Sequence, residues 1–164
     1  MGSLLVQTKD FDEALELFKQ ALNQAKILDD RKMIRDSFFS IGIYYQKKEK
    51  YDEALENCEK GLKINPTDTD MLDMKALIYL NMEKYDLAEK HFLELLNHDT
   101  SEPSTHYNLA CIYSLLKNKQ KAIDHLLVAT YLDPAATHSD MDEDESFDNI
   151  RDSEEFKRLQ SVEV

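Results

Sequence analysis

Equivalent landmarks stand 34 residues apart along this chain: Tyr45, Tyr79 and Tyr113, then Ala54, Ala88 and Ala122, with Pro66 and Pro134 two periods apart. The stretch YYQKKEKYDEALENCEKGLKINP from Tyr44 returns, altered, as YLNMEKYDLAEKHFLELLNHDT from Tyr79 and as YSLLKNKQKAIDHLLVATYLDP from Tyr113. A period of this length means a stack of repeats, because one such unit cannot bury its own apolar face and needs a neighbour. Within each period apolar residues recur at three- and four-residue spacing in two runs, which predicts a pair of antiparallel helices. Phe38, Ile41, Gly42 and Tyr45 share one face of a leading helix, and Ala54, Cys58 and Gly61 face them from the second. Gly42, Ala76 and Ala110 hold one equivalent position and Ala54, Ala88 and Ala122 another, where small side chains let helix axes approach closely. With three Gly and three Pro in 164 residues, the chain has little turn chemistry for a β fold. The expected class is all-α.

The ends depart from the period. Phe11-Asp-Glu-Ala-Leu-Glu anticipates Tyr51-Asp-Glu-Ala-Leu-Glu, but 40 residues ahead of it rather than 34. A longer second helix through Leu22, Ala25 and Leu28, ending at Asp29-Asp30, absorbs the difference. Only Leu4 to Lys9 precede the expected turn. Met1-Gly2-Ser3 therefore reads as an expression remnant, and the first unit as the remainder of a longer array whose uncovered apolar surface leaves a homodimer open. The units are placed at 4–34 (partial), 35–68, 69–102 and 103–134, followed by an acidic linker and a capping helix over 135–164. Asp152 is expected to cap that helix with Glu155 three residues on, and Phe156, Leu159 and Val162 to form its apolar stripe. The stretch near Ala136 to Ser139 is expected to be flexible.

A net charge of −13 opposes nucleic acid and anionic membrane as partners, since both demand clustered Lys and Arg. No apolar run is long enough to span a bilayer, and no signal peptide is evident. Cys58 and Cys111 fall in different units without paired or metal-ligand spacing, which suits two buried thiols in a reducing, cytoplasmic compartment. Asp140, Asp142 and Asp144 match alternate ligands of a calcium loop, but Glu145 stands where the turn Gly belongs and Arg151 where the bidentate Glu belongs. His91 and His125 lie one period apart without a carboxylate or thiolate at ligand spacing. No phosphate loop and no nucleophile with a matched base can be read. The expectation is no catalytic residue, no metal and no cofactor.

The pattern of Phe38, Ile41, Gly42 and Tyr45, then Ala54, Cys58, Gly61 and Pro66, resembles the tetratricopeptide (TPR) repeat over residues 11 to 134. Lys75, His106, Leu95 and Thr100 depart from it. The resemblance implies a right-handed superhelical solenoid of antiparallel helix pairs. Further on, Tyr107-Asn-Leu-Ala-Cys-Ile-Tyr-Ser, Phe147-Asp-Asn-Ile-Arg and Glu155-Phe-Lys-Arg-Leu resemble the closing module of many bacterial TPR proteins, which implies a cap on the last repeat. Leading helices line the concave groove in this family. The groove residues carried over are Asp36, Phe39, Ile43 and Gln46, then Asp70, Asp73, Leu77, Leu80 and Asn81, then Tyr107, Asn108, Cys111 and Ser114.

Some family members clamp acidic chaperone tails with cations. The corresponding places here hold Phe39, Ile43, Met74, Ser104 and Asn108, which argues against that ligand. The expected function is non-enzymatic: binding a short apolar, mildly basic segment of another protein in the groove. The alternative is architectural, the closing end of a longer scaffold with the groove empty or filled by its own tail.

Overall fold

The computed structural model describes residues 2–98 and 101–161, with side chains from residue 13 onward. Val162 and Thr100, both singled out by the sequence, lie outside the described residues. The elements are α1 (Gly2–Ile27), α2 (Arg31–Lys47), α3 (Tyr51–Leu62), α4 (Thr69–Asn81), α5 (Tyr85–Leu96), α6 (Pro103–Leu115), α7 (Lys119–Leu132), α8 (Pro134–Met141), a 3-10 turn at Glu145–Phe147 and α9 (Glu154–Gln160). The fold is all-α, made of consecutive helix pairs, with no strand among the described residues. Two compact units divide at the turn between α4 and α5: Met1–Met82 and Glu83–Val164.

In the first unit, α2 packs against α1 and α3, and α4 packs against α3. The core is Leu22, Phe38, Ile41, Ala54, Cys58, Met71, Met74 and Ile78. Gly42 and Gly61 make room for the methionines of α4: a Cβ on Gly42 would stand 2.7 Å from Met74 Sδ, and one on Gly61 2.2 Å from Met71 Cε. The small residues thus admit the side chains of the next helix as well as its neighbour's backbone. The expected turn between Lys9 and Phe11 is not there. From Ser3 to Leu28 no Gly or Pro interrupts the chain, so α1 runs through as one helix.

Turn chemistry repeats with the period. Glu49, Glu83 and Lys117, each 34 residues from the next, all adopt positive φ (56°, 57° and 60°). Lys50 N–H donates to Tyr45 O at 2.9 Å and Glu49 N–H to Gln46 O at 3.0 Å; Asn118 and Lys117 repeat this on Tyr113 O and Ser114 O, both at 2.8 Å. These are paired Schellman bonds that satisfy the last carbonyls of a helix and reverse the chain. Helix starts are fixed by carboxylates: Asp30 accepts from Met33 N–H, Asp68 from Met71 N–H and Asp133 from Ala136 N–H.

In the second unit, α6 pairs with α7, and the chain beyond Asp133 folds back on both. The flexible stretch expected near Ala136 is helical: Asp133 caps α8 and Pro134 occupies its first turn, where a missing N–H costs nothing. Met141, Phe147 and Phe156 are fully buried, with Ile150 and Leu159 nearly so. The acidic run is therefore a folded closure rather than a linker. The cap of α9 is Ser153, which accepts from Phe156 N–H, and not Asp152.

Candidate peptide-binding surface

The first unit gathers charge around one guanidinium. Arg35 Nε donates to Asp68 Oδ2 at 2.7 Å and Nη2 to Asp68 Oδ1, a two-pronged pairing. Nη2 also reaches Asp70 Oδ2 at 2.6 Å, and Nη1 reaches Asp36 Oδ1 at 3.0 Å. The planar fork of an Arg suits this multiple pairing, which a Lys could not reproduce. Burial works to raise the Asp68 carboxyl, but the hydrogen bonds from Arg35 and Met71 N–H and the Arg35 charge outweigh it and hold it below its ordinary value. Arg35 is held protonated above its own ordinary value, first by the Asp68 hydrogen bond and then, against burial, by Asp70 and Asp36. Three carboxylates face one cation, so the cluster keeps a negative surplus.

Arg35 stands outside the groove positions carried over from the family pattern. The signal was weak: Arg35 stands 33 residues before Asp68 and 35 before Asp70. Its guanidinium also lies over the Phe39 ring, 5.1 Å from the centroid. Phe39 and Ile43 are half-buried against the core of the first unit. Gln46, Asp73, Leu77 and Leu80 are half-buried, while Asp36, Asp70 and Asn81 are exposed.

In the second unit the expected groove positions are covered by the chain's own tail. Tyr107 Oη donates to Asp144 Oδ2 at 2.9 Å, and Cys111 Sγ lies 3.5 Å from the same oxygen. Asn149 Nδ2 donates to Ser114 O at 3.4 Å. The Phe147 ring meets Tyr107 edge-on, with centroids 5.4 Å apart, and leans on Phe156. Tyr107 and Asn108 are half-buried and Cys111 is buried. Burial, then Cys111 and Asp144, push the Tyr107 phenol upward, so it remains a donor. A cavity of about 460 Å³ opens beside it, lined by Tyr107, Ser139, Asp140, Glu143 and Asp144.

His125 Nδ1 lies 3.0 Å from His106 Nδ1, and its ring stacks on Tyr113; His91 Nδ1 lies 3.2 Å from Glu94 Oε2. Of the three aspartates of the calcium-like spacing, Asp142 accepts from Gln160 at 2.7 Å and Asp144 from Tyr107 at 2.9 Å. Among the described residues no group of three His, Cys, Asp or Glu side chains could hold a metal ion. Burial raises the Cys58 thiol to about 12, and its Sγ donates to Met71 O, so it is no nucleophile at neutral pH.

Family models described as tetratricopeptide repeat match residues 1–67 and, separately, 69–99 and 103–135. The chain is 28% identical over 134 residues to Superkiller complex protein 3 of Homo sapiens, covering 79% of this chain and 8% of that protein. It spans between 8% and 22% of the length of the curated relatives it matches. Among solved structures, BtubC from P. vanneervenii superimposes with a TM-score of 0.78 at 19% identity, covering 96% of this chain and 73% of that one. YrrB, described as a TPR protein with an unusual peptide-binding site, superimposes with a TM-score of 0.62 at 18% identity, covering 96% and 82%.

Proposed function

The chain belongs to the tetratricopeptide repeat family, and on that premise we propose that it is a non-enzymatic module that binds a short apolar, mildly basic segment of another protein along α2 and α4. Proteins of this family mediate protein–protein interactions, and a peptide-binding site is described for YrrB. The observation that carries the reading is the Arg35 cluster. Asp36 and Asp70 are exposed, each with one oxygen on Arg35, and their surplus negative charge lies beside Phe39. A segment with Lys or Arg beside apolar side chains complements both features. An acidic ligand would meet a cation already saturated by carboxylates.

The test is binding of a Lys- and Arg-containing apolar peptide library to the full chain and to the double variant Asp36→Asn, Asp70→Asn. Exposed charge pairs are worth ~0.2–1 kcal/mol each, so loss of two weakens selected peptides roughly 2- to 30-fold and flattens their salt dependence. Unchanged affinity refutes the reading.

An architectural role has one observation of its own. Leu17, Ile27 and Leu28 on and just after α1 are 63%, 77% and 62% exposed. Light scattering across a concentration series decides it: this role requires self-association that Ile27→Lys abolishes.

A further inference from the structure

The side of α6 that carries Tyr107, Cys111 and Ser114 is met, position by position, by the segment that follows α8. Asp144 takes the Tyr107 hydroxyl, Phe147 takes the edge of its ring, and Asn149 takes the Ser114 carbonyl. We propose that this side of α6 is a binding surface for an acidic residue followed three positions later by an aromatic one, that Asp144 to Phe147 fill it in cis, and that an outside segment of the same chemistry competes for it. The inference rests on α6 and the tail alone and not on the reading of α2 and α4.

The contact has the chemistry of a ligand. A carboxylate accepting from a phenol is a charge-assisted bond that any Asp- or Glu-bearing peptide could make. Burial acts to raise the Asp144 carboxyl, but hydrogen bonds from Ser146, Tyr107 and Cys111 outweigh it and keep the acceptor ionised. The cavity beside Tyr107 leaves this bond at the edge of solvent, where a competitor can reach it. The segment is a single 3-10 turn, held as a loop by Arg151, whose guanidinium donates to the carbonyls of Met141 at 3.1 Å, Asp142 at 2.8 Å and Asp144 at 2.7 Å. On either side, buried Met141 in α8 and buried Phe156 and Leu159 in α9 anchor the chain. Opening of the loop with its flanks docked uncovers Phe147 and Ile150, which are buried in the closed state. A tethered ligand acts at an effective concentration on the order of millimolar, which hides the surface from weak outside ligands until the loop opens.

The experiment uses a fluorescent peptide of residues 143–151 (EDESFDNIR) added to the full chain, read by polarisation. Arg151→Gln loosens the loop without removing a buried apolar side chain. It binds the peptide about tenfold tighter than the unaltered chain, in line with a larger open fraction. Adding Tyr107→Phe cancels the gain, and Asp36→Asn leaves it intact. If Arg151→Gln loses its helical signal, Asp144→Asn, which removes only the cis carboxylate charge, replaces it with the same expectation. Equal affinity for the unaltered and opened chains, or a gain that survives Tyr107→Phe, overturns the proposal.

Discussion

A Cβ on Gly61 would meet Met71 Cε at 2.2 Å and Sδ at 2.8 Å, and Met71 is fully buried. Gly61→Ala gains up to ~1 kcal/mol of helix propensity. Overpacking costs about 1–3 kcal/mol, so the expected net is a loss of stability, read from a lower urea midpoint. A raised midpoint would mean that α4 moves away at little cost. The importance of the small positions was legible from the period. That Gly61 accommodates a methionine of the following helix was not, since a period says which positions match and not which side chains interdigitate. His125 shows the same limit. Burial first, and then the neighbouring His106, lower its pKa from the ordinary 6.5. The packed groups around it are Tyr113 on α6, Glu89 on α5, and Lys121 and Asp124 on α7. A histidine whose folded pKa is depressed binds fewer protons folded than unfolded, so its contribution is whole above pH 6.5 and is lost as pH falls through the folded value. Stability accordingly drops below pH 6.5, and His125→Gln flattens that part of the profile. An equally steep drop in the variant would remove His125 as the cause.

At the scale of elements, the interior helix pairs were readable because apolar spacing, turn and small-residue register agree there. The ends were not. The Phe11-Asp-Glu-Ala-Leu-Glu motif copies a helix start, yet in α1 nothing ahead of it stops the helix, so the same residues sit mid-helix. At the other end, Asp133-Pro134 carries an N-cap followed by a Pro in the first turn, a helix start that position in the repeat disguised as a stop. Ser153 and Asp152 are both capping residues by type, and only the backbone decides between them: Ser153 is extended at φ −72° and ψ 148° with its Oγ toward Phe156 N–H. Ser153→Ala should cost about 0.5–2 kcal/mol and Asp152→Ala close to nothing, measured by thermal melts of the full chain. The reverse order would restore the cap expected from sequence.

For the whole molecule, the charge balance pointed away from nucleic acid, but it could not say where the acids go. Four of them build the two clusters described above. Asp36, Asp68 and Asp70 surround Arg35 in the first unit, and Asp144 meets Tyr107 in the second. Apart from the adjacent Arg35 and Asp36, these pairings join residues more than thirty positions apart through folded geometry, so they have no sequence signature. The expected groove positions on α6 are met by the tail, and the partner surface proposed above lies on α2 and α4. The most direct measurement is hydrogen exchange of the full chain with and without a selected Lys- and Arg-bearing apolar peptide. Added protection in α2 and α4, over residues 36–46 and 70–81, is the predicted result. Protection confined to α5 and α7, with α2 and α4 unchanged, would contradict the account.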